Sequence, residues 1–172
     1  METANESTKT EKKYSVVYVA APWEDKAWPL EKVRDLSVEK WVAPEAFMLM
    51  WVPVLKIPDG LLILRTWGFD YAGLLAWRKP KDSLEGYWLR SECEFILAAT
   101  RGTPKTSYLL RHTFYEGSYS EGNCKPQAFR KLLMDAGYVA WEKRASGLDL
   151  FGAYWQGIYP KYGKDGWDFL EK

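Results

Sequence analysis

Short apolar segments without polar interruption recur along the chain and constrain its fold more than any other feature. Such segments are typical of strands buried on both faces of a sheet. Amphipathic segments with helical spacing lie between several of them. Strands that alternate with helices need crossover connections, which produce a mostly parallel sheet flanked by helices. We predict an α/β fold, with strands at residues 15–21, 46–52, 69–77, 93–99 and 147–151, and helices at residues 29–41, between 58 and 68, and at 126–136.

The two ends of the chain differ from this pattern. Residues 1–13 contain no aromatic and no branched apolar side chain, so they are expected to form a disordered tail. Residues 14–172 are then a single domain, in agreement with the usual length of about 100–200 residues per domain. Residues 104–124 have no assignable pattern, and the segment after 147–151 is interpreted as a Gly/Tyr/Trp-rich tail.

Charge and cysteine content exclude several classes of protein. The 24 Lys and Arg residues nearly balance the 23 Asp and Glu residues, so the chain is not a polycation that coats nucleic acid. Cys93 and Cys124 form neither a disulfide framework nor a metal-binding spacing, and His112 lacks a catalytic motif, so no metal is expected. No apolar run reaches about 18 residues and no signal peptide is present, so we expect a cytoplasmic or nuclear protein that is not secreted and not bound to a membrane.

Aromatic residues are unusually frequent, at 16% of the chain with ten Trp and eleven Tyr. Those near the carboxyl terminus exceed what the end of a small core needs. Trp and Tyr dominate the energetics of protein interfaces, so these side chains indicate either a partner surface or core packing. The set is Tyr154, Trp155, Tyr159, Tyr162 and Trp167.

Several segments, taken in order, carry a resemblance to a known family. They are YVAAPW at 18–23, FMLMWV at 47–52, WGF at 67–69, WRK at 77–79, GYWLR at 86–90, EFILAATRG at 94–102, KP at 125–126, LDLFG at 148–152 and GWD at 166–168. This series resembles the adenine methyltransferase family of the seventy-kilodalton messenger-RNA methyltransferase-A subunit and its bacterial, phage and ciliate relatives. The resemblance implies a Rossmann-like methyltransferase fold with a permuted motif order, in which the catalytic strand precedes the cofactor strand.

The chain departs from the family at the motif that carries the chemistry. Family members have Asp-Pro-Pro-Trp after the first strand, whereas this chain has Ala20, Ala21, Pro22 and Trp23. In the family the acid and the next carbonyl accept hydrogen bonds from the amine of a flipped-out adenine. Loss of one such acceptor lowers the rate by about 10²–10³ at comparable sites. Trp23 can still stack on a base, an interaction worth about 1–3 kcal/mol.

The cofactor positions implied by the resemblance are only partly kept. Lys125 matches a lysine that approaches the cofactor carboxylate, and Asp149, Phe151 and Gly152 belong to the cofactor strand and its loop. The Arg and Asn that follow in the family are replaced by residues 153–155, Ala-Tyr-Trp. Lys125 can equally be a surface lysine, and Asp149 can equally make a structural hydrogen bond. S-adenosylmethionine is therefore a possible cofactor.

Nucleic-acid contacts are expected from a local set of side chains rather than from net charge. Glu94 is expected to link its strand to the loop after Trp23. The alternative for the basic residues is a solvated loop. The candidate contacts are Trp23, Arg90, Arg101, Lys105 and Arg111.

Three functions are consistent with the sequence. The first is a degenerate, methyltransferase-like protein that is not catalytic alone and binds nucleic acid, a catalytic partner subunit, or a second copy of itself. The second is an active S-adenosylmethionine-dependent adenine methyltransferase, or another enzyme that modifies a flipped base. The third is a relic of the fold that serves as an interaction module.

Overall fold

A seven-stranded sheet is formed by the described residues. The computed structural model describes residues 12–80, 88, 91–105, 112–118, 129–130, 147–160, 162 and 167–170. Its strands are β1 (Tyr14–Val19), β2 (Val42–Val52), β3 (Asp70–Arg78), β4 (Cys93–Arg101), β5 (Phe114–Glu116), β6 (Gly147–Asp149) and β7 (Trp167–Phe169). Its α-helices are α1 (Leu30–Arg34), α2 (Ile57–Thr66) and α3 (Gly152–Ile158), and short 3₁₀ helices cover Val38–Lys40 and Val54–Lys56.

The strand order is β5-β3-β4-β2-β1-β6-β7, and most neighbours are parallel. β1 pairs in parallel with β2 and β6, whereas β4 runs antiparallel to β2 and β3. The predicted α/β fold with a mostly parallel sheet is confirmed. We call the edge at which β1, β2 and β6 end and β4 begins the carboxyl edge, and the opposite one the amino edge.

β1 lies near the middle of the sheet and is buried on both faces, as its apolar sequence predicts. Val17 and Val19 belong to one buried cluster, which also contains side chains of α1 and α2. Val16 and Tyr18 belong to a second cluster on the opposite face, together with Phe129. The alternation follows from the two-residue period of a strand.

α2 forms where the sequence predicts it. Pro58 lies in its first turn, where its missing N–H group leaves no hydrogen bond unmade. The chain turns at Gly68, whose φ of 74° lies in the left-handed region that glycine adopts readily. The indole N–H of Trp67 donates to the carbonyl oxygen of Arg34 at 3.0 Å, which joins the end of α2 to the end of α1.

The helix predicted over residues 29–41 is much shorter than expected. α1 ends at Arg34, and a 3₁₀ turn over Val38–Lys40 follows it. Val33 and Val38 both enter the same buried cluster. A continuous α-helix would place them about 140° apart around its axis, so the helix ends and lets both reach the core.

The interpretation of the carboxyl-terminal segment as a tail is wrong. It contains α3 and β7, and β7 pairs in parallel with β6. Trp167 is buried against Tyr18, with ring centroids 5.8 Å apart. Some of the carboxyl-terminal aromatic residues therefore lie in the core, where they pack the edge strand β7 against the rest of the sheet.

Two other predictions are only partly covered by the described residues. Phe129 and Arg130 are helical and buried, as predicted for residues 126–136, and the rest of that segment lies outside the described residues. Of the predicted tail, residues 1–11 also lie outside. Lys12 contacts Asp168, and Lys13 donates to the carbonyl oxygen of Glu39 at 3.1 Å.

Candidate functional site at the carboxyl edge of the sheet

A cleft of about 390 Å³ opens at the carboxyl edge. Its volume lies within the range of about 300–1,000 Å³ that is common for small-molecule sites. The chain leads from β1 to β2, which lies on one side of β1 in the sheet, whereas β6 lies on the other side. The cleft therefore lies at the point where the order of strands in the sheet changes direction, which is the usual position of ligands in open α/β sheets. The lining residues are Ala20, Ala21, Pro22, Trp23, Glu24, Asp25, Trp51, Val52, Pro53, Glu94, Tyr154 and Trp155.

The four residues of the degenerate motif form one wall of this cleft. Ala20 and Ala21 are buried, at 3% and 4% exposure, and belong to the clusters on opposite faces of the sheet. Trp23 is half-buried, and its indole N–H donates to the carbonyl oxygen of Trp51 at 2.8 Å. The turn is closed by the backbone N–H of Trp23, which donates to the carbonyl of Ala21 at 2.9 Å. The indole plane is therefore held in place, and position 20 offers no side-chain acceptor.

α3 forms the wall facing this motif. The indole N–H of Trp155 donates to the carbonyl oxygen of Ala20 at 2.5 Å. The hydroxyl of Tyr154 donates to Oδ2 of Asp25 at 2.6 Å. The rings of Tyr154 and Trp155 meet edge to face, with centroids 5.0 Å apart, and Trp155 stacks on Tyr159 at 6.1 Å. The chain thus places its own N–H donor on the backbone acceptor of the degenerate motif.

The ionisable side chains around the cleft are acids and one tyrosine. The hydrogen bond from Tyr154 and then that from the backbone N–H of Ala27 hold the pKa of the Asp25 carboxyl below its usual range. Burial, and then the hydrogen bond to Asp25, raise the pKa of Tyr154 to about 12. Asp25 is therefore a carboxylate and Tyr154 a neutral phenol at pH 7. Glu24 and Glu94 add two further carboxyl groups.

Asp149 does not line the cleft. It is fully buried at the end of β6, and its Oδ2 accepts a hydrogen bond from the hydroxyl of Tyr162 at 2.6 Å. Nε of Arg130 lies 3.5 Å from the same oxygen. Burial raises the pKa of Asp149 to about 6, although Tyr162 and Arg130 act in the opposite direction. These contacts favour the structural alternative for this residue.

The neighbouring cofactor candidates are also enclosed by side chains. Phe151 is buried and meets the ring of Trp28 edge to face at 5.2 Å. Gly152 begins α3, and a Cβ atom there would overlap the ring of Phe169. Lys125 lies outside the described residues.

The described basic candidates, Arg101 and Lys105, do not lie at the cleft. Arg101 is opposite Ala46 in the sheet, six residues along β4 from Phe95, which is opposite Val52 at the carboxyl edge. Six strand residues span about 20 Å, so Arg101 lies at the amino edge, and Lys105 follows it in sequence. Arg90 and Arg111 lie outside the described residues. His112 is exposed.

The sequence did not indicate part of the lining, and it left open whether the carboxyl-terminal aromatic residues lie in the core or on a partner surface. Glu24 and Asp25 follow Trp23 directly, a signal that was available but unused. Tyr162 and Trp167 are core residues around the guanidinium of Arg130, with ring centroids 4.9 and 5.4 Å from it, rather than part of a partner surface. Glu94 lines the same cleft as Trp23, in keeping with its expected link to that loop.

Comparisons with known proteins add no assignment. No family model matches the chain, and no curated protein sequence matches it. In the part of the chain that the structure describes, no three His, Cys, Asp or Glu side chains come together as a metal site. Within the same part, no helix has the length and apolar character needed to cross a membrane.

Proposed function

We propose that this chain is a degenerate member of the adenine methyltransferase family, with a permuted Rossmann-like methyltransferase fold, that is not catalytic alone. It binds nucleic acid at the cleft through Trp23 and works with a catalytic partner subunit or a second copy of itself. One observation on the sheet supports this fold: β1 and β6, the strands that the resemblance assigns to catalysis and cofactor, are parallel neighbours. Their carboxyl ends therefore meet at one edge.

The hydrogen bond between Trp155 and the carbonyl of Ala20 carries the proposal. An adenine amine that attacks a methyl group needs acceptors at this position, because it becomes cationic in the transition state. The side chain at position 20 is a buried methyl group, and the carbonyl oxygen of Ala20 accepts the indole N–H of Trp155 at 2.5 Å. The carbonyl oxygen of Ala21, the one that follows the acid position, accepts the backbone N–H of Trp23 at 2.9 Å. A substrate amine therefore finds no side-chain acceptor at position 20, and each of these two carbonyl oxygens already accepts one hydrogen bond.

Among the residues that the resemblance assigns to S-adenosylmethionine, the surroundings of the described Asp149 and Gly152 do not fit that cofactor. Asp149 is fully buried and hydrogen-bonded to Tyr162, and Phe169 covers Gly152. A cofactor hydroxyl would have to displace these contacts.

Base stacking remains available at the cleft. Trp23 presents an indole whose orientation is fixed by Trp51, and stacking on such a ring tolerates any base. None of the described lining residues is Lys, Arg or His, so the proposal assigns no phosphate contact to the described lining of the cleft. A single-stranded or flipped base suits this geometry, because only the base enters.

Two measurements test this function. Calorimetric titration of S-adenosylmethionine and S-adenosylhomocysteine is expected to give no heat at millimolar ligand, whereas a micromolar Kd, about −8 kcal/mol, would contradict the loss of the cofactor site. Fluorescence anisotropy with labelled single-stranded oligonucleotides is expected to show binding that weakens about 5- to 100-fold in Trp23→Ala. Trp88→Ala is the matched control, because Trp88 is 87% exposed and does not line the cleft.

An active enzyme is the second candidate, and the carboxyl groups of the cleft favour it. Asp25 and Glu94 both line the cleft and supply acceptors that Ala20 lacks. Methyl transfer to an oligonucleotide by the purified chain, abolished by Glu94→Ala, which removes the acceptor, would establish this function. Absence of transfer at saturating cofactor and oligonucleotide would refute it.

A further inference from the structure

The charged side chains in the described lining of the cleft are acids. Three lining residues are acids, Glu24, Asp25 and Glu94, and none of the described lining residues carries a basic side chain. Glu24 is exposed to solvent, and Asp25 is fixed by Tyr154 at 2.6 Å. A cleft lined by charge of one sign concentrates ligands of the opposite sign. The same field disfavours phosphate groups inside the cleft.

Aromatic rings form much of the remaining lining. Trp23, Trp51, Tyr154 and Trp155 all contribute to it. The face of an indole attracts a cation, and the attraction grows when the cation is removed from water. Trp23 is already held by its hydrogen bond to Trp51, so little further ordering is needed when a ligand binds. Acidic groups and fixed indoles together select a flat or compact cation.

We infer that the cleft prefers a base that carries a positive charge, such as an alkylated purine, over the same base in neutral form. The inference rests on the proposed function, because it specifies which bases the Trp23 site takes. The cleft volume of about 390 Å³ suits a ligand of nucleoside size. A neutral base gains only stacking, whereas a cationic base gains stacking, the indole field and attraction to the carboxyl groups of Glu24 and Asp25.

Two isomers of methylated adenine have the same atoms but differ in charge, so they test the effect of charge on binding. Single-stranded oligonucleotides of the same sequence carry either 1-methyladenine, a cation at neutral pH, or N6-methyladenine, its neutral isomer. With the full chain, the oligonucleotide with 1-methyladenine is expected to bind at least about fivefold more tightly. Glu24→Gln is expected to reduce this ratio to less than about twofold. Glu45→Gln is the matched control, because Glu45 is an exposed acid in β2 near the amino edge and should leave the ratio unchanged.

The outcomes distinguish this inference from the proposed function. Equal affinity for both isomers, lost in Trp23→Ala, would overturn the charge preference and leave the proposed function standing. Equal affinity that survives Trp23→Ala, or no binding of either oligonucleotide, would overturn both. A preference that persists in Glu24→Gln and Glu94→Gln would overturn the role given to the carboxyl groups.

Discussion

The buried pair of Asp149 and Arg130 makes stability depend on pH in an unusual direction. Burial raises the pKa of Asp149 to about 6 from the ordinary 3.8, against the opposing effects of the Tyr162 hydrogen bond and the Arg130 charge. The folded chain therefore binds a proton at this site over a range in which the unfolded chain has released it. We predict that Asp149→Asn removes this dependence, because an amide does not titrate.

The magnitude follows from the two pKa values. A shift of one pKa unit corresponds to about 1.4 kcal/mol, so the titration of Asp149 changes the free energy of unfolding by about 3 kcal/mol. Because the folded pKa is the higher one, this contribution to the free energy of unfolding is fully present below the unfolded pKa. It decreases as pH rises and is lost once pH passes about 6. A salt-bridged surface carboxylate behaves in the opposite way.

Urea denaturation of the wild type and of Asp149→Asn between pH 4 and 7 measures the effect. The difference in unfolding free energy, wild type minus variant, is expected to fall by about 2–3 kcal/mol over this range. Asp70→Asn, at an exposed carboxyl group at the start of β3, is the matched control. A difference that stays constant or rises with pH would refute the reasoning, since it would mean that attraction to Arg130 outweighs burial.

Two further predictions concern packing next to the cleft. Gly152→Ala should destabilise the fold by about 1–3 kcal/mol, because the added Cβ atom would overlap the ring of Phe169. Gly157→Ala is the control, since the space around Gly157 is open, and equal melting temperatures of the two variants would contradict the prediction. Trp51→Phe should lower the free energy of unfolding by about 1–3 kcal/mol, because the buried indole N–H of Trp51 donates to the hydroxyl of Tyr18 at 2.6 Å. If urea denaturation shows a decrease in the free energy of unfolding below about 0.5 kcal/mol, this hydrogen bond contributes little to stability.

The sequence predicts the central strands well because burial on both faces leaves a strong local signal. The segment at 15–21 corresponds to β1, and the segment at 93–99 to β4, within two residues at each end. The extension of β2 back to Val42 has no such signal, since its first residues include a proline and a glutamate. It depends on pairing between Val42 and Tyr14, which only the folded sheet brings together.

Strand direction and contacts between distant residues leave no signal in the local sequence. β4 runs antiparallel to both of its neighbours, β2 and β3, although its apolar sequence resembles that of the parallel strands β1 and β2, because an apolar run does not encode strand direction. β7 has three residues, and its burial depends on Tyr18 and Phe129 from distant parts of the chain. The contact between Trp155 and Ala20 joins positions 135 residues apart.

Two segments in which the sequence departs from the pattern of the proposed family meet in one place. Ala20 stands where the family has its acid, and Trp155 lies in the segment where the family has Arg and Asn; one hydrogen bond joins them. An aspartate at position 20 would enter a site that is 3% exposed and lies in the apolar cluster of Tyr18 and Trp51. Burial of such a charge without a partner is strongly unfavourable. Reversion of Ala20 alone should therefore destabilise the chain, and a functional methyl-acceptor site would also require replacement of Trp155.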